Sequence, residues 1–180
     1  MKDSARPAPK DSALSAPKES APFAPGDLVV YRGHGVGQVI GVETQRLGGT
    51  QVRLVVVEFG PSGMVVRIPF HKVKSAGLRP VSSAEAMVEV LAQLAQPAVA
   101  AKGVWNRRLV EYMAKVNSGD PVALAEVVRD LHPAPKGVRS PAAQTIYEKA
   151  FGRLSEELAA VDCSDSVAAA AKLELLLNAA

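Results

Sequence analysis

Cysteine is almost missing from this 180-residue chain: Cys163 stands alone, which excludes an internal disulfide and any zinc site built from several thiolates. A reducing, cytoplasmic setting is the matching expectation. Histidine is scarce too. His34, His71 and His132 are scattered, and none lies near a second ligand type at metal-binding spacing, so neither a metal nor a cofactor is expected. Long apolar runs are absent: no signal-like core opens the chain, and the apolar C-terminal stretch is cut by Lys172 and Glu174, so no membrane span is expected. The excess of positive charge is small, +3, which permits contact with nucleic acid but falls far short of a histone-like composition.

Signs of catalysis are equally thin. Gly33, Gly35 and Gly37 lack the lysine pattern of a phosphate loop and run into strand-like residues, so they read as turns and bulges. Glu156 and Glu157 fall on a predicted helix, where neighbours diverge by about 100 degrees. That divergence argues against a paired acid and base and is read here as a solvated helix face. No nucleophile elbow or nucleotide fingerprint is present, and the chain is not expected to be an enzyme.

What the chain does contain is organised in three stretches. Residues 1–22 are Ala, Pro, Ser and Lys with nearly cancelling charges, a composition that cannot bury enough surface to fold and reads as a disordered tail. Residues 23–80 carry short runs of β-branched residues, Leu28 to Tyr31, Val36 to Val42, Val52 to Phe59 and Met64 to Pro69, punctuated by glycine turns. Gly48-Gly49 has the two-residue spacing of a hairpin. A small, highly bent antiparallel sheet or barrel is predicted.

Residues 81–180 change to helical period, giving an α+β chain whose second part is a compact all-helical domain of about five helices. Ser82 or Ser83 can cap a first helix with a stripe of Met87, Val88, Leu91 and Leu94. Trp105, Leu109, Tyr112, Met113 and Val116 form the next stripe, ended by Asn117-Ser118-Gly119. Asp120-Pro121 and Ser140-Pro141 each supply an N-cap and a first helical residue.

One cluster stands out. The only tryptophan, Trp105, opens a predicted helix and is followed by Arg107 and Arg108, with Lys115 further along. Arginines can fix a nucleic-acid backbone, and a flat side chain beside them can press on an opened base step. The same residues also fit a core tryptophan at the edge of a bundle and an ordinary salt-laced surface helix, with Glu111 in reach of Arg107 or Lys115. Lys136, Arg139, Lys149 and Arg153 form a second basic set that would extend a positive face if the fold brings it alongside.

Phe23, Gly26 to Tyr31, His34-Gly35-Val36-Gly37, Val66-Arg67-Ile68-Pro69 and Gly77-Leu78-Arg79 resemble the N-terminal module of the CarD/CdnL family. Trp105 to Arg108, Glu111-Tyr112-Met113 and Ala125 to Leu131 resemble its helical domain. Each piece is short, but their order and joint presence over residues 23 to 178 are specific. The resemblance implies a Tudor-like β module that binds the β subunit of bacterial RNA polymerase. It also implies a helical domain that meets promoter DNA at the upstream edge of the melted region, with the tryptophan as a minor-groove wedge that stabilises the open complex. By position it assigns polymerase contact to Arg67, with Gln45 and Arg46, and DNA contact to Trp105, Arg107 and Arg108. Lys115, Lys136 and Arg139 are added as further DNA-binding candidates, and a monomer is expected. Gln45 stands where some relatives carry arginine, and Leu109 and Val110 are less polar than their counterparts. The competing reading is an adaptor that binds a protein partner and does not touch DNA.

Overall fold

The computed structural model describes residues 23–60, 63–99, 104–132 and 140–179. The tail expected over residues 1–22 lies outside them. The described chain is α+β, as the change of period predicts: an antiparallel sheet followed by five helices, with one helical turn set into the sheet module.

Strands β1 (Leu28–Tyr31), β2 (Gly35–Leu47), β3 (Thr50–Phe59), β4 (Met64–Pro69) and β5 (Leu78–Pro80) form one sheet in the order β4-β3-β2-β1-β5. Three of the four neighbouring pairs are sequential hairpins, so most of the sheet assembles from local contacts. Leu47 pairs with Thr50 across Gly48 and Gly49, whose φ of 57° and 84° supplies the left-handed backbone that a tight hairpin needs. Gly37 has another reason to be glycine: it faces Phe59 across the ladder, and an added Cβ would lie 2.5 Å from Phe59 Cδ1. The Phe59 ring can therefore lie over β2, where it meets Tyr31 at 5.9 Å and His34 at 5.7 Å between ring centroids.

β3 is buried on both faces, which explains its unbroken run Leu54-Val55-Val56-Val57. Val55, Val57 and Phe59 join Val29, Val39, Ile68, Val73 and Leu78 in the core of the module. This core is closed by the short 3-10 turn Phe70–Lys72 and helix α1 (Val73–Ala76). Leu54 and Val56 point the other way.

The helical part comprises α2 (Ala84–Leu94), α3 (Trp105–Ser118), α4 (Pro121–Leu131), α5 (Pro141–Asp162) and α6 (Ser166–Ala179). Ser83, Asp120 and Ser140 cap α2, α4 and α5 by accepting from the backbone N–H groups of Ala86, Ala123 and Ala143. α4 sits at the centre, packed on α2, α3 and α5, with Leu124, Val127, Val128 and Leu131 in the common core. At about 1.5–3 kcal/mol for each fully buried aliphatic side chain, this helix is a main source of the domain's stability. The expected stripe on α2 is rotated: Val88 is 66% exposed, and Val90 takes its place beside Met87 and Leu94.

The expectation of a solvated Glu156-Glu157 face is corrected by the structure. Glu157 is only 1% exposed, and its carboxylate accepts both guanidinium arms of Arg79 on β5, at 2.7 and 2.8 Å. It also accepts from the Ser82 backbone N–H at 3.1 Å and the Ser82 hydroxyl at 2.7 Å. α5 turns this acid toward the sheet, and burial is tolerated because the carboxylate is met by donors on both oxygens. Glu156 is an exposed residue, yet its carboxylate end packs against Gly35 and accepts from the Val36 N–H, and loss of water there raises its pKa above the ordinary 4.5.

Candidate functional site: the wedge helix and the β-module face

Trp105 is the first residue of α3 and is 39% exposed. It does not belong to the buried cluster that Tyr112 and Val116 of the same helix enter. Arg108, one turn on, holds the ring from one side: its guanidinium carbon lies 5.2 Å from the Trp105 ring and 5.5 Å from the Tyr112 ring, and Nη2 donates to the Tyr112 hydroxyl at 2.8 Å. Such cation–π stacking orders both an otherwise mobile arginine and the indole. Trp105 thus has a braced side and an open side.

The charges around it are partly spent. Arg107 is highly exposed and donates to Glu111 at 3.2 Å, the i,i+4 option that the spacing allows. Lys115 does not use Glu111 but reaches Glu126 on α4 at 2.6 Å. At the start of α3, Val104 occupies the N-cap without a side-chain hydrogen bond and is itself largely exposed, so the positive end of the helix lies beside Trp105 without a side-chain cap. An apolar groove runs along the same helix, lined by Leu109, Val110, Met113, Ala142, Thr145 and Ile146. Val110 is 69% exposed.

Of the second basic set, Lys136 and Arg139 lie outside the described residues. Lys149 is exposed. Arg153 is corrected: it does not extend a positive face but spans the two parts of the chain, donating to Val116 O at 2.8 Å and Gly33 O at 2.7 Å. Desolvation in that joint lowers its pKa from the ordinary arginine value. Sequence reasoning missed this joint as a whole.

On the β module, Arg67 in β4 donates through Nε to Glu43 Oε2 in β2 at 3.0 Å, with Nη2 near Oε1 at 3.5 Å. The strands are not neighbours. β3 lies between them, and the pair bridges over Leu54 and Val56, which its stems help to cover. The Arg67 hydrogen bond is the largest influence lowering the Glu43 pKa. Gln45 shares this face and also donates to Glu43, at 3.2 Å. Arg46, one residue on, is turned to the opposite face by the two-residue period of the strand, the face that carries Arg53 over the Phe70 ring at 4.3 Å. The structure therefore brings Arg67, Gln45 and Glu43 together and leaves Arg46 apart.

No group of three or more potential metal ligands occurs among the described residues, and no helix among them is long and apolar enough to cross a membrane.

Residues 23–82 match the CarD-like/TRCF RID domain, an RNA polymerase-interacting type, and residues 89–174 match the CarD C-terminal domain. The chain is 29% identical over 106 residues to "Putative transcription factor YdeB" of Bacillus subtilis (strain 168), covering 59% of this chain and 69% of the relative. The solution structure of the 72-residue N-terminal domain of Myxococcus xanthus CarD is 33% identical, covering 32% of this chain and 77% of that one, with a TM-score of 0.29. With both of its domains matched in the same order, the chain belongs to the CarD/CdnL family of bacterial transcription regulators that act through RNA polymerase.

Proposed function

We propose that this protein is a non-enzymatic, monomeric cytoplasmic regulator that binds the RNA polymerase β subunit through its β module and stabilises the promoter open complex with Trp105. The observation that carries this reading is the half-exposed indole at the outer end of α3, braced by Arg108 on one side and open on the other. A side chain so held can enter a distorted base step without first being ordered, which lowers the entropic cost of insertion. Arg107 and the N-terminus of α3 would meet flanking phosphates, with Arg108, Lys115, Lys136 and Arg139 completing the proposed DNA-contacting set.

On the β module, Arg67 and Gln45 offer donors from one face, and Glu43 holds Arg67 in a fixed pose. An acidic or carbonyl-rich partner would compete with Glu43 for that guanidinium. Contact through Arg46 would require the partner to reach round the hairpin.

Weak DNA contacts are sufficient in this scheme, because polymerase binding places the helical domain beside the promoter at high effective concentration. Favouring the open over the closed complex by about 1.4 kcal/mol shifts the equilibrium roughly tenfold.

The adaptor reading is favoured by a specific set of observations: Lys115 is neutralised by Glu126, Arg107 is paired with Glu111, and the exposed Val110 and Met113 line an apolar groove. Open-complex lifetime in a purified polymerase and promoter system, with and without the protein, decides between the two. Lengthening that disappears in Trp105→Ala supports the wedge. Polymerase binding with no change in lifetime supports the adaptor.

A further inference from the structure

The joint between the two parts of the chain is built around the inner end of α3. Arg79, from β5 of the sheet module, donates through Nη2 at 2.8 Å and Nε at 3.3 Å to the carbonyl of Gly119, the α3 C-cap, through Nη1 and Nη2 to Glu157 of α5, and through Nη1 to Pro80 O of its own strand. Arg153 of α5 donates at once to Val116 O in the last turns of α3 and to Gly33 O in the β1–β2 turn. Glu157 also holds the backbone and hydroxyl of Ser82, in the segment that leads out of β5 into α2. Two arginines therefore satisfy carbonyls at the end of α3 that the helix itself leaves open, and each is anchored in both parts of the molecule. Gly119, with φ of 72°, comes so close to Arg32 of the sheet module that an added Cβ would meet its Cα at 3.1 Å.

Trp105 stands at the other end of this helix. Fourteen helical residues span roughly 20 Å, so a tilt of about 10 degrees at the joint displaces the indole by roughly 3.5 Å, about the thickness of one base step. We propose that Arg79 and Glu157 are positioning residues: they hold α3 as a lever on the β module and thereby set where Trp105 is presented, without touching DNA or polymerase themselves.

The idea rests on the wedge reading above, and its test separates the two. Spin labels on Thr50→Cys in the β2–β3 hairpin and Val110→Cys on α3, in a Cys163→Ser background, report the distance between the modules in the free full-length chain. Open-complex lifetime and β-subunit affinity are measured on unlabelled chains. Arg79→Lys keeps the charge but loses the two-armed fork, and Glu157→Gln loses the charge. If either fails to fold, Arg79→Met/Glu157→Leu removes both charges together, a change that buried pairs tolerate better than loss of one partner. The expected result is a broadened or shifted distance distribution, unchanged β affinity, and an open-complex lifetime shortened severalfold toward that of Trp105→Ala. A distance distribution unchanged from that of the wild type in both position and width, in a folded double variant, would overturn the proposal. So would a broadened or shifted distribution with wild-type lifetime, in an assay where Trp105→Ala shortens it. A Trp105→Ala chain with wild-type lifetime would sink the wedge instead, and the spin-label distances would still decide whether the joint holds α3.

Discussion

Replacing Trp105 by alanine separates a wedge from a packing residue, because the two roles predict opposite results. About three-fifths of the residue is removed from water, since 39% remains exposed. The stacked Arg108 supplies part of that cover, and Trp105 is not among the residues of the common core. A large aromatic buries about 150–250 Å² when enclosed. At about 25 cal/mol per Å², with the partial burial and the compactness of the unfolded chain discounted, the lost burial is worth roughly 1–3 kcal/mol. No closed cavity is left behind, because water can enter at the open side, and alanine gains several tenths of a kcal/mol in helix propensity. The net loss of folding stability should be about 1–2 kcal/mol, well below the roughly 3–5 kcal/mol of an enclosed tryptophan. Thermal unfolding of Trp105→Ala should then show a modest fall, polymerase affinity should be retained, and open-complex lifetime should drop about tenfold. A large fall in melting temperature with unchanged promoter kinetics would refute the wedge and favour the adaptor.

Other changes probe the rest of the molecule. Arg67→Glu places a second carboxylate beside Glu43 on an exposed face; β-subunit binding should be lost while thermal stability changes little, and binding retained by the folded variant would move the interface away from this face. The Glu43 carboxyl is held below its ordinary 4.5 by Arg67, so the pair contributes above that value and is lost as pH falls through the lowered one; an NMR titration of Glu43 should return to the ordinary range in Arg67→Ala. Glu156 has the opposite sign: its raised value means that the charged form is penalised in the fold, so Glu156→Gln should match or exceed the wild type in stability near neutrality. That advantage should shrink as pH falls through the raised value toward 4.5, and an advantage that grows on acidification would contradict the assignment. Gly37→Ala, whose Cβ would lie 2.5 Å from the Phe59 ring and 2.8 Å from the Glu58 carbonyl oxygen, should cost about 1–3 kcal/mol in denaturant unfolding, with a neutral result showing that both the ring and the β3 backbone can yield.

Local signals carry most of the fold. Asp120-Pro121 and Ser140-Pro141 mark helix starts because an N-cap oxygen followed by a proline is chemistry confined to one turn. Gly48-Gly49 marks a hairpin for the same reason. On α2 the stripe is legible only when the spacing is applied strictly: Met87, Val90, Leu91 and Leu94 follow i, i+3, i+4, i+7, whereas Val88 falls outside that set, so spacing alone favours the face that is buried. Arg46 is similar. Strand alternation separates it from Gln45, and the two-residue period by itself assigns them to opposite faces.

Glu157 has a signal of the same kind, concealed by its charge. Counting from Ala150, Leu154 is four residues on and Glu157 seven, so position 157 falls in the apolar stripe with Leu158, while Glu156 is turned about 100 degrees away. A carboxylate in that stripe must meet a donor from another element or remain protonated. Its partner, Arg79, is 78 residues away in sequence, and only the docking of α5 on the sheet module joins them. The proposed wedge can be named from the sequence because tryptophan and arginine in one helical turn already suggest a chemistry. The joint cannot, because its chemistry is divided among β5, the α3 C-terminus and α5. If Trp105 acts on promoter DNA while the β module is bound to polymerase, those dispersed residues matter to the function as much as the clustered ones, since an indole displaced by one base step meets a different part of the DNA.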